Sequence, residues 1–86
     1  MYIIIIYDVN VKRVNKVHKF LKTYLTWIQN SVFEGEITNS QYQTITTKLQ
    51  DLIEEDEDSI IIYEIPEKYL NRNIIGLEKN PMELIL

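Results

Sequence analysis

The chain has 86 residues, 45% of them apolar, and a formal net charge of −4. This length makes a single domain, residues 1–86, with a core that is marginal unless a second subunit buries more surface. With no cysteine, one histidine and two glycines, the chain excludes disulfides, cysteine zinc sites, a histidine-rich metal centre and glycine-rich phosphate loops.

Residues 1–7 are an unbroken apolar run containing four consecutive isoleucines. Isoleucine is stiff at χ1 and favours a pleated strand. The lack of alternation predicts a strand covered on both faces or near the middle of a sheet. The run is too short for a membrane, which takes about 20 apolar residues, so no membrane partner is expected. Nothing reads as a signal peptide, and the lack of cysteine fits a reducing, cytoplasmic setting. The run ends on Asp8, a lone acid at the mouth of a strand. Such a residue serves as a turn or cap group, or as a ligand for Mg²⁺, which takes one or two carboxylates and keeps several waters.

Asn10 is placed to cap a helix. Val11, Val14, Val17, Leu21 and Tyr24 follow helical spacing over residues 11–24 and predict one buried face. Lys12, Lys16 and Lys19 form a second stripe, which Arg13 and Lys22 widen. Residues 9–25 therefore carry five cations and no acid, inside a chain whose remainder carries four cations against thirteen acids. This segregation makes Lys12, Arg13, Lys16 and Lys19 candidate phosphate contacts. An ordinary solvated helix face is the alternative. His18 lies beside the apolar stripe with no nearby ligand-type residue and reads as a boundary residue.

Residues 26–37 read as two short strands, with turn chemistry at Gln29, Asn30 and Ser31. Trp27, Tyr24 and Phe33 suit a core or subunit interface better than base stacking, because no aromatic–basic alternation surrounds them. Thr38 and Gln41 have the spacing of a capping box. Tyr42, Ile45, Leu49, Leu52 and Ile53 then mark a second helix. The acids at 54–58 lack calcium-loop spacing and read as a solvated helix end. Residues 59–65 form a second isoleucine-rich strand, stopped by Pro66. The order β-α-β-β-α-β predicts an α+β fold, the ferredoxin-like βαββαβ sandwich, with both helices on one face of an antiparallel sheet. Residues 1–66 suffice for that fold. Residues 67–86 add a helical turn, a fifth short strand at residues 73–76, and the apolar end Leu84-Ile85-Leu86, which is expected to dock.

Tyr7-Asp8-Val9 after an isoleucine strand, the basic helix, and Trp27-Ile28-Gln29-Asn30-Ser31-Val32-Phe33-Glu34-Gly35-Glu36 together resemble one family. This is the small CRISPR-associated adaptation protein, the Cas-two family, and the resemblance runs from residue 1 to Ile74-Ile75-Gly76. It implies a homodimer in which the C-terminal strand adds to the partner's sheet. It also implies a Cas-one integrase partner, and a role in spacer acquisition as a scaffold that binds duplex DNA. A metal-dependent endonuclease activity on RNA or DNA is implied as well, with Asp8 as catalytic metal ligand for Mg²⁺. Lys12, Arg13 and Lys16 correspond to the family's basic residues, and Phe33 to its hairpin phenylalanine. Trp27 departs from the pattern by standing where many members carry an arginine. The alternative function is a toxin-like or regulatory ferredoxin-fold dimer with no role in adaptation.

Overall fold

In the computed structural model, which describes residues 1–78, six elements form in the expected order. They are β1 (Tyr2–Asp8), α1 (Val11–Lys22), β2 (Thr26–Gln29), β3 (Val32–Glu36), α2 (Asn39–Leu52) and β4 (Ser59–Ile65). The sheet runs β2-β3-β1-β4, with every neighbouring pair antiparallel. The predicted ferredoxin-like α+β fold is the observed one.

The isoleucine run does occupy the sheet interior, between β3 and β4. Among the described residues only one of its faces is fully covered. Ile3, Ile5 and Tyr7 are buried, while Ile4 is half-buried and Ile6 exposed. Successive strand residues point to opposite faces, and both helices pack on the Ile3–Ile5–Tyr7 side. There Val17 and Leu21 of α1 and Ile45 and Leu49 of α2 close on Phe33 and Leu25 to form the core. The opposite face keeps Ile61 and Tyr63 of β4, about half exposed, beside Ile6 and Ile4. Expected cover on both sides is thus replaced, within one chain, by an apolar face left open.

Local chemistry explains where each helix starts. The Asn10 side chain accepts a hydrogen bond from the Lys12 N–H at 2.9 Å, capping α1. Thr38 accepts from Gln41 N–H at 3.1 Å while the Gln41 side chain accepts from Thr38 N–H at 2.9 Å, completing the capping box of α2. Helix α1 stops two residues before its expected end, and Val11, at its first position, is 81% exposed rather than part of the buried stripe. In the β2–β3 hairpin Asn30 takes φ 47°, a left-handed conformation that asparagine tolerates. The Trp27 indole N–H donates to the Asn30 carbonyl at 2.9 Å and closes the turn.

Gly35 lets β3 pass close to Leu25, since an added Cβ would stand 3.0 Å from Leu25 Cδ2. Gly35→Ala is expected to lower stability by about 1–2 kcal/mol through overpacking, read as a drop in the chemical-denaturation midpoint with an unchanged slope.

The C-terminal expectations hold in part. Glu67–Tyr69 is a single 3-10 turn. Residues 73–76 form no strand with this chain's sheet, so the predicted fifth strand is absent as an intrachain element. A strand needs an edge to pair with, and these residues pair with none among the described residues. Leu84-Ile85-Leu86 lies outside the described residues. No helix among the described residues is long and apolar enough to cross a membrane.

Candidate nucleic-acid and metal site

The candidate site is built where β1 runs out. The Tyr7 N–H donates to the Ser31 carbonyl at 3.1 Å, extending the β1–β3 ladder to the hairpin turn. Asp8 faces Ser59, the first residue of β4. Asp8 therefore sits at the strand end where the hairpin turn, the start of β4 and the N-terminus of α1 converge. Its side chain is exposed and has no hydrogen-bond or ion-pair partner among the described residues. It does not cap α1, because Asn10 performs that role.

The segment after Asp8 is pinned by one carboxylate. Asp58 Oδ1 accepts from the Asn10 N–H at 2.8 Å and from Arg13 Nη2 at 3.1 Å. Its Oδ2 accepts from Arg13 Nε at 2.7 Å and from the Glu54 N–H at 2.9 Å. The Asp58 side chain is 0% exposed. Every acceptor site is used, which is what a buried carboxylate requires. The Arg13 guanidinium, joined by the backbone N–H groups of Asn10 and Glu54, holds the Asp58 carboxyl well below the usual carboxylate range. The acids at 54–57 are exposed, as expected of a solvated stretch, but they do not end a helix, and Asp58 is buried. Helix α2 stops at Leu52, the acids form the loop into β4, and the last of them turns inward.

This network separates Arg13 from the lysines with which it was grouped. Its two-pronged contact with Asp58, and a further bond from Nη2 to Glu57 Oε1 at 3.1 Å, commit the guanidinium within the chain. Lys12, Lys16 and Lys19 remain exposed on α1 with no ion-pair partner among the described residues. The structure brings Asp8 and the N-terminus of the helix carrying these lysines to one end of the sheet, and draws Arg13 away into the fold.

Behind the site lies an aromatic cluster. The Tyr7 hydroxyl and His18 Nδ1 are hydrogen-bonded at 3.2 Å, and His18 meets the edge of Phe33 with ring centres 5.1 Å apart. Burial, then the neighbouring Lys22 charge, lowers the His18 pKa. Phe33 is fully buried and is a core residue. Trp27 is half-buried against His18.

At this site a single chain provides, among the described residues, one carboxylate free for a metal, that of Asp8. No group of three histidines, cysteines or acids capable of holding an ion occurs among the described residues. That donor set fits Mg²⁺ only with a second carboxylate or substrate phosphate completing the site. Sequence reasoning missed Asp58, whose partners other than the Glu54 N–H lie 45 and 48 residues away in the chain. No local spacing distinguishes it from the four acids before it.

A small ferredoxin-like domain with a cationic helix beside an exposed strand-end acid defines the class. The chain belongs to the CRISPR associated protein Cas2 family, whose family model matches residues 1–73. A relative from Methanocaldococcus jannaschii, named CRISPR-associated endoribonuclease Cas2, is 53% identical over the whole of this chain and 76% of its own length. One of the same name from Thermococcus kodakarensis is 50% identical over the full length of both. Among solved structures, a Cas2 crystal structure aligns with TM-score 0.82 and 51% identity, covering 94% of this chain and 92% of the other. Streptococcus pyogenes Cas2 aligns with TM-score 0.73 and 33% identity, covering 80% and 90%. The protein accordingly has a CRISPR-associated role.

Proposed function

We propose that the chain acts in CRISPR adaptation as a two-fold dimer that joins Cas-one integrase subunits while duplex DNA lies across it. The observation that carries this reading is the stripe of Lys12, Lys16 and Lys19, exposed on α1 and held by no acid among the described residues. A two-fold axis presents the stripe twice, and each phosphate it neutralises releases counterions. The open apolar face of the sheet supports the dimer, since an 86-residue chain gains from burying it. Family membership supports the integrase partner and weighs against a toxin-like or regulatory dimer. Charge reversal of the three lysines tests this reading by duplex binding.

A second reading is a phosphodiesterase acting on RNA or DNA, favoured by the free, exposed Asp8 and by the endoribonuclease name of the relatives. Two copies of Asp8 brought across the axis would hold one Mg²⁺. A Mg²⁺ held there by Asp8 would supply activation of water and stabilisation of charge on the phosphodiester. Asp8→Ala is expected to reduce metal-dependent cleavage at least about a hundredfold while leaving the dimer intact by sedimentation. Undiminished cleavage by this variant overturns the reading.

A further inference from the structure

The last described stretch of the chain is tied down at one residue and left unsatisfied beyond it. Arg72 Nε lies 2.7 Å from Glu34 Oε1, and its Nη2 donates to Glu78 Oε1 at 2.8 Å. Glu34 belongs to the open face of the sheet, opposite Ile4, and its side chain is 14% exposed. Tyr2 stands beside this pair, its phenol pKa pushed up by burial and then by the Glu34 carboxylate. Arg72 thus fastens the base of residues 72–78 to the sheet and bridges that segment's two ends.

Past this fastening the arm buries little. Ile75 is 100% exposed and Leu77 72% exposed, with Ile74 also exposed. Its path lies beside Ile28 and Gln29 of β2, at the sheet edge opposite β4. The exposed apolar patch formed by Ile6, Ile61 and Tyr63 lies on β1 and β4, out of line with the arm of the same chain. A second copy has both the matching patch and a β4 edge that is unpaired among the described residues.

We propose that Arg72 is a positioning residue for self-association. Its clasp on Glu34 orders the arm in advance and presents Ile74, Ile75 and Leu77 to the Ile6–Ile61–Tyr63 patch of a second copy. This rests on the dimer reading above and adds the device that aims the arm. Ordering the arm before encounter removes part of the entropy that association otherwise costs, and a fork-shaped guanidinium suits the task better than an ammonium.

The test is the dimer dissociation constant, measured by sedimentation over a dilution series of the full chain. Arg72→Ala and Glu34→Gln are each expected to raise it about tenfold, which corresponds to about 1.4 kcal/mol. The double variant is expected to match Arg72→Ala, because that single variant has already lost the Glu34 contact along with the one to Glu78. Arg72→Lys, which keeps the charge and lacks the fork, falls between. Unchanged values in the single variants, or losses that multiply in the double variant, overturn the clasp while leaving the dimer standing. A wild-type chain that stays monomeric overturns the dimer reading itself, before any variant is made.

Discussion

Asp58→Ala is expected to lower the melting temperature by about 10 °C or more, the largest loss anticipated from any single charged residue of this chain. The substitution strips four hydrogen bonds at once and leaves a part-buried guanidinium and the N–H groups of Asn10 and Glu54 without their acceptor. Removing one member of a buried pair costs more than the pair contributes, since the remaining member must lose its partner without regaining water. The pair also predicts an acid limb. A carboxyl held below its ordinary value in the folded state contributes stability above the unfolded pKa of about 4 and loses it as pH falls through the lower folded value. Melting temperatures recorded from pH 7 down to pH 2 should fall through that window in the wild type, and the fall should be much shallower in Asp58→Asn. Parallel curves for the two proteins would show that another group carries the acid sensitivity. Because Asn10 is both the cap of α1 and a ligand of Asp58, the same variant should loosen the turn that carries Asp8.

Reversing charge at Lys12, Lys16 and Lys19 together is expected to weaken duplex binding at least about a hundredfold near 0.1 M salt. Each lysine whose phosphate contact is lost should also reduce the slope of log affinity against log salt by about 0.9, and a two-fold dimer counts every contact twice. Fluorescence anisotropy of a labelled duplex across a salt series measures both quantities. Stability should change little, because the three side chains are exposed and unpaired among the described residues. Equal loss of affinity with an unaltered slope would point away from phosphate contact. Reversal at Arg13 would not serve as a substitute test, since it breaks the Asp58 contacts and so confounds binding with folding.

Local signals carried most of the architecture. The Thr38–Gln41 capping box, the Asn10 cap and the Asn30 turn each follow from interactions within a few residues, where sequence spacing constrains geometry directly. The isoleucine run was legible as an interior strand but not as a one-sided one. Four identical side chains satisfy either a covered or an open face, and which face a helix reaches is a tertiary outcome. The acids at 54–58 failed for a related reason. Their composition is that of a solvated stretch, and the distant Arg13 and Asn10, with the nearby Glu54 N–H, fix Asp58 as the buried one. By the same pairing Arg13 leaves the lysine stripe. Residues 73–76 have strand-like composition, yet a strand is a relation between two segments, and no second segment pairs with them among the described residues.

Trp27 has a practical consequence. It is the sole tryptophan of the chain, hydrogen-bonded across the hairpin turn whose next residue, Ser31, accepts from the Tyr7 N–H of β1. The molecule therefore contains a natural fluorophore at the sheet terminus that carries its free acid, with no competing indole to dilute the signal. Emission from that one ring offers an optical readout of events at the strand end, obtained from the unlabelled protein.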